Sequence, residues 1–288
     1  NGLTESTMKG RKFMRRKVEE YQRSTGRLNI AMLEVDLDFC RGFINFLRTA
    51  KNRRLKSEER TISNCTGLQT QAVFTAALNT ALRDGIIERN PMTLLTSKER
   101  FHQQESTRVY LTIDELKRMM ATPCDDGELK KAFLFACFTG LRLSDIRTFT
   151  WNKVLTTPND SARYIRVRML KTQQVVNVPL SKDALGYLRE TEDGDEPIFR
   201  LSSAASVIEQ RLAEWAKKAG IEKHVTFHVS RHSYATMMLT IGVDIYTVSK
   251  LLGHKNVATT QIYAKIIDQK KIDAVNMMDR FFGKDRQA

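Results

Sequence analysis

The chain predicts a mainly α protein of two domains, with one small antiparallel β-hairpin or sheet in the second. Three observations carry this reading. Apolar residues recur at three- and four-residue steps through most of the chain, residues 163–180 alternate with period two, and a polar stretch near residue 100 interrupts the pattern. A length of 288 residues favours two cores over one.

Taken in order, Val35, Phe39, Phe43 and Phe46 or Leu47 mark one apolar helix face, and Leu68, Ala72 and Ala76, with Val73 and Ala77, mark another. This is the pattern of a small helical bundle. Asn90-Pro91 after GIIER is expected to end its last helix, since proline cannot donate to the ladder and restricts the residue before it. TSKERFHQQES at 96–106 is polar and aperiodic, which predicts an exposed linker; the expected domains are 1–97 and 107–288, with the linker at 98–106. Such a linker would let two lobes grip opposite sides of a cylinder.

The second domain opens on Thr112 three residues before Glu115, a capping-box pattern. Residues 131–150 read as helical with a break at Gly140. Ile165, Val167 and Met169 alternate with Arg166 and Arg168, and Val176 and Val178 alternate after a turn, so a hairpin with Lys171 near its tip is expected. Further helices are expected at 204–219, 229–240, 244–252 and 266–282, with Gly220, Gly242 and Gly253 as terminators.

A net charge of +14 and a pI near 9.7 favour a polyanionic partner over a small acidic substrate. The charge is evenly spread. Before residue 107 stand 19 basic and 12 acidic residues, and from there on 28 and 21, so each half carries +7 and is fit to touch phosphates. The longest apolar runs, such as AFLFACF at 132–138, are too short to span a bilayer, and the expected location is the cytoplasm, with no membrane partner. Cys40, Cys65, Cys124 and Cys137 form no CxxC pair and predict neither a zinc site nor a disulfide framework.

The chemistry concentrates in the last third, where HVSRH (228–232), LLGHK (251–255) and TTQIYAK (259–265) follow closely. Tyr263 supplies a phenol, a poor nucleophile at neutral pH that needs a proton acceptor and a cationic cradle to attack a phosphodiester. His228, Arg231 and His254 can provide both. Arg142 in TGLRLSDI could fork two hydrogen bonds onto non-bridging phosphate oxygens. Each residue alone also has an ordinary reading: a surface ion pair for Arg142, a helix-end contact for His254, a packing tyrosine for Tyr263, a solvated charge for Lys171. His228 and His232 at i and i+4 have a zinc-compatible spacing, but Val229 stands where a metalloprotease needs glutamate, and His232 is expected either to support the pocket's side chains from behind or to pack.

Together these motifs resemble the tyrosine recombinases, the lambda-type phage integrases, over residues 107–288 and more loosely over the N-terminal region. TGLRLSDI is similar to the family's first arginine motif, Lys171 stands where the family places a hairpin lysine, His228 and Arg231 match its HxxR pair, and Gly253-His254 its GH. Tyr263 matches its nucleophile in TTxxYA, and Asp145 stands in place of the glutamate of many relatives, which by this resemblance still leaves a carboxylate to orient Arg142. The resemblance implies a helical, SAM-like core-binding domain followed by an α+β catalytic domain. It also implies DNA strand exchange through a 3′-phosphotyrosyl link, with catalytic Arg142, Lys171, His228, Arg231, His254 and Tyr263 and neither cofactor nor divalent metal. In that reading Lys171 protonates the departing 5′ oxygen. The implied partners are double-stranded DNA and three further copies in a homo-tetramer, with room for a DNA-bending accessory protein, and the implied place is the nucleoid. Residues 266–282 would dock on a neighbouring copy. The finer likeness is to integrases of Bacteroidetes conjugative or mobilisable elements. Two alternatives are a type IB topoisomerase and a DNA-binding factor without catalysis.

Overall fold

A computed structural model describes residues 5–52, 61–104, 108–158, 162–189 and 194–263. The expected helix at 266–282 lies outside the described residues. The chain divides into two compact units, Asn1–Ser106 and Thr107–Ala288.

The first unit is built on three helices, α1 (Glu5–Thr25), α2 (Leu37–Thr49) and α3 (Asn64–Arg83). Asp36 starts α2 by accepting the Phe39 N–H (2.7 Å), and Ser63 starts α3 by accepting that of Thr66 (3.2 Å), each satisfying a donor the first turn leaves free. The apolar face of α2, Phe39, Cys40, Phe43, Ile44 and Leu47, is buried as its spacing predicts. Against it Tyr21 of α1 meets Phe39 edge to face at 5.1 Å, and Gly42 admits that ring, since a Cβ there would lie 1.9 Å from the phenol oxygen.

Three expectations for this unit need correction. The buried face of α3 is Gly67, Thr70, Gln71, Phe74, Leu78 and Ala81, while Ala72 and Ala76 are exposed. Polar Gln71 is tolerated inside because its amide oxygen accepts the Phe101 N–H (2.8 Å) and Thr70 donates to the Thr66 carbonyl (2.7 Å). The helix also stops at Arg83, before Gly85 with φ 71°, and Asn90 instead caps a short 3-10 turn at Pro91–Leu94. The linker likewise begins later than residue 98. Ser97–Glu99 form another 3-10 turn, Arg41 pairs with Glu99 at 2.6 Å, and Phe101 is buried in this unit's core beneath the Arg48 guanidinium.

In the second unit α4 (Ile113–Ala121) opens with the expected capping box: Thr112 accepts the Glu115 N–H and Glu115 that of Thr112. Next come α5 (Gly127–Thr139) and α6 (Leu143–Arg147), then a sheet of β1 (Val154–Thr156), β2 (Arg163–Arg168) and β3 (Val175–Pro179), then α7 (Lys182–Gly186), α8 (Ala205–Lys218), α9 (Phe227–Thr240) and α10 (Ile245–Leu251). The hairpin β2–β3 pairs Ile165 with Val178 and Val167 with Val176, all buried, and leaves Arg166 and Arg168 exposed on the other face. Strand β1 adds a third antiparallel partner that period-two alternation is too short to reveal. Helix α5 is the unit's central rod. Its Phe133 is fully buried edge to face with Trp215 of α8 (5.9 Å) and Phe227 of α9 (5.8 Å), and such a ring contributes about 2–3 kcal/mol relative to exposure. Packing α5 on α9 fixes the two helices whose ends supply the site described next.

Candidate active site

Helix α5 ends at Gly140, whose left-handed φ of 69° turns the chain sharply; a Cβ there would lie 2.6 Å from the Tyr234 ring. The turn delivers Arg142 to the first turn of α6. One of its terminal nitrogens, Nη1, is buried with no hydrogen-bond partner among the described residues. Burial holds this guanidinium below its usual pKa, with Asp145 opposing. Asp145 works differently from the sequence expectation. Its buried carboxylate accepts the backbone N–H groups of Arg142 (3.4 Å) and of Leu170 (2.9 Å), so it ties the Arg142 turn to the hairpin turn that carries Lys171.

Arg231 on α9 is only 2% exposed. Its Nη1 donates to the Gly140 carbonyl (2.7 Å) and its Nη2 to the Leu252 carbonyl (2.5 Å), joining the turn before Arg142 to the turn before His254. Burial, then the Arg142 charge, pushes its pKa down to about 9. Leu252 closes α10, and Gly253 follows with φ 63°, a position where a Cβ would also lie 2.7 Å from Val176 of β3. His254 is held by its Nδ1 against the Thr260 hydroxyl (2.8 Å). The short 3-10 turns Val257–Thr259 and Gln261–Tyr263 then bring Tyr263 back, 4% exposed, toward α9.

The Tyr263 hydroxyl lies 2.5 Å from Nδ1 of His232, and the His232 ring stands edge to face on His228 at 4.6 Å. Burial pushes the phenol up to about 12, with Arg231 and Arg108 pulling the other way. All three imidazoles are pushed down to about 4, first by burial and then by cations: Arg231 and Arg142 act on both His228 and His254, while His228 and Arg108 act on His232. The pocket is therefore rich in positive charge that its histidines do not share at neutral pH.

The structure thus gathers Arg142, His228, Arg231, His254 and Tyr263 into one site. Lys171 sits apart on the exposed hairpin turn, though its charge is felt by His228. Two members were not singled out by the sequence. His232 is expected only to support the pocket or to pack, and the structure instead sets it directly on the Tyr263 hydroxyl; its adjacency to Arg231 in HVSRH is a usable signal. Arg108 is set beside α9 by the next residues, where the Leu111 N–H donates to Ser233 (2.8 Å) and Lys223 donates to the Tyr110 carbonyl (3.0 Å). No motif marks it. Among the described residues no group of three or more His, Cys, Asp or Glu could hold a metal ion, and no helix is long and apolar enough to cross a membrane.

Two family models match the chain: a phage integrase SAM-like domain over residues 1–101 and the phage integrase family over residues 109–270. The chain belongs to the phage integrase family. It is a tyrosine recombinase by kinship as well as by fold. A tyrosine recombinase of Thermosipho africanus is 32% identical over 204 residues, 67% of this chain and 69% of the relative. Tyrosine recombinase XerC of Neisseria meningitidis is 34% identical over 178 residues, 57% of this chain and 58% of the relative. Among solved structures, the Tn1549 transposon integrase in complex with a circular intermediate DNA shares the fold with a TM-score of 0.68 at 19% identity, covering 91% of this chain and 90% of that one. A lambda integrase dimer bound to a core site matches equally well, with a TM-score of 0.68 at 19% identity, covering 91% and 89%.

Proposed function

We propose that this member of a site-specific recombinase family cleaves and rejoins duplex DNA through Tyr263, with Arg142, Lys171, His228, Arg231 and His254 around the scissile phosphate. The observation that carries the reading is the pairing of a buried phenol with two guanidinium groups that no carboxylate pairs, that of Arg231 buried and that of half-buried Arg142 keeping one buried nitrogen without a partner. Buried charge is costly unless compensated, and a phosphodiester supplies the missing anion.

In this mechanism Tyr263 attacks phosphorus, the 3′-phosphotyrosyl bond forms as the bond to the 5′ oxygen breaks, and Lys171 protonates that oxygen. Arg142 and Arg231 hold the non-bridging oxygens, where charge grows in the transition state. His228 and His254 border the same anion. The 5′ hydroxyl of a second strand then reverses the step, and the phosphoester energy is kept throughout. The chain is read further as a mobile-element integrase acting in the cytoplasm at the nucleoid, as a homo-tetramer on synapsed DNA, with an accessory DNA-bending protein as a further partner. The solved relatives in complex with DNA support the choice of substrate.

The test is covalent capture on nicked duplexes carrying candidate element ends. Tyr263→Phe should lose the protein–DNA adduct entirely while keeping duplex affinity, because only the attacking oxygen is gone. Adduct formation by that variant would overturn the assignment. Strand exchange between two duplexes, rather than relaxation of one supercoiled circle, separates a recombinase from a topoisomerase.

A further inference from the structure

A phenol with its pKa pushed up to about 12 stays protonated at neutral pH, so the attack needs somewhere for its proton to go. His232 Nδ1, at 2.5 Å, is the hydrogen-bond partner recorded for this hydroxyl among the described residues. A buried O–H without an acceptor is costly, so the phenol donates and Nδ1 accepts, which leaves the ring proton of His232 on Nε2. The other imidazoles are placed for different work: His254 spends its Nδ1 on Thr260, and His228 meets His232 through its ring.

We propose that His232 is the proton acceptor for Tyr263 during strand cleavage. This rests on Tyr263 being the nucleophile. As the bond from the phenolic oxygen to phosphorus forms, the phenol proton passes to Nδ1 of His232 while Lys171 gives a proton to the leaving 5′ oxygen. Rejoining returns both: the incoming 5′ hydroxyl gives its proton back to Lys171, and the His232 imidazolium restores the phenol. Arg108, His228, Arg231 and His254 face His232 together with Tyr263 itself, and burial and these neighbours keep the imidazole neutral with its lone pair available. A phosphodiester offsets those cations, and the charge that develops on its oxygens in the transition state favours the imidazolium at the moment it forms.

The decisive measurement is the single-turnover rate of covalent capture on a nicked duplex, run beside Tyr263→Phe. His232→Ala should be slower by about two to three orders of magnitude, the usual contribution of a positioned general base, with duplex affinity retained. His232→Asn keeps an acceptor oxygen near the Nδ1 position without basicity and should be similarly slow; it also decides the matter if the alanine variant fails to fold. Asparagine at the native rate would reduce His232 to an orienting role and overturn the proposal. Replacing Tyr263 by a ring-fluorinated tyrosine, whose phenol is more acidic, should recover roughly tenfold or more in the His232→Ala background, since a more acidic nucleophile depends less on its base. A 5′ bridging sulfur should not help the same variant. Rescue by sulfur would place His232 on the leaving-group side and refute the assignment, as would native-rate capture by His232→Ala in a protein whose Tyr263→Phe variant is dead. Capture by Tyr263→Phe would instead strike the nucleophile assignment itself.

Discussion

Cations of the first unit and cations of the pocket are treated in opposite ways. Along α1, Lys9 pairs with Glu5 (2.7 Å), Arg15 with Glu19 (3.0 Å) and Lys17 with Glu20 (2.8 Å), each one helical turn apart. In the pocket, Arg142 and Arg231 have no ion pair among the described residues, and the nearest carboxylate, Asp145, is occupied with backbone amides. A basic run in sequence therefore says little about function, because neighbouring glutamates can neutralise it locally. Cations held from different elements, wholly or partly buried and left without a carboxylate, are poised for an external anion.

The sharpest way to break this comparison is to remove each pocket arginine. Arg142→Ala and Arg231→Ala should each slow covalent capture by about two to three orders of magnitude. They should differ in stability. Arg231→Ala abandons the Gly140 and Leu252 carbonyls and should cost about 1–3 kcal/mol, whereas Arg142→Ala removes a nitrogen that already lacks a partner and should leave urea unfolding nearly unchanged. Equal destabilisation by both would mean that Arg142 is structural.

Lys171, exposed on its turn, tests whether a cation outside the pocket of Arg142 and Arg231 belongs to the reaction. Lys171→Ala should be slower by about two orders of magnitude on ordinary DNA and recover on DNA with a 5′ bridging sulfur, because a thiolate leaves without a proton. No recovery would remove Lys171 as the acid.

A smaller effect concerns pH. His228, His232 and His254 have folded pKa values of about 4, below the ordinary 6.5, so the unfolded chain binds protons more readily between those values. The second unit's stability should be fully present above pH 6.5 and decline as the pH falls toward 4, as read by thermal unfolding; a flat profile would mean that the folded chain does not hold these imidazoles neutral. The smallest effect is expected for α1, where Arg15→Ala should change stability by less than about 0.5 kcal/mol, since its pair with Glu19 is exposed.

Much of this was legible without coordinates. The capping box at Thr112, the glycine stops at Gly140, Gly220, Gly242 and Gly253, and the alternation of β2 and β3 are local signals, and local chemistry carries them into the structure. Two of the misreadings, the buried face of α3 and the start of the linker, share one cause. Gln71 and Thr70 enter the core because their polar atoms find backbone partners, and Phe101 joins the first unit through Gln71, contacts that an apolar ranking does not see.

The sequence by itself determined which side chains are available for the reaction and the family in which their spacing recurs, since a motif is a property of order along the chain. Only the tertiary structure decided how they are used. Arg231 spends two nitrogens on carbonyls far from it in sequence, Asp145 ties two turns together through their amides, and His232 rather than another imidazole receives the Tyr263 hydroxyl. Hydrogen bonds and burial depend on separations of a few ångströms between residues tens of positions apart, and those separations exist only after α5, α9 and α10 have packed.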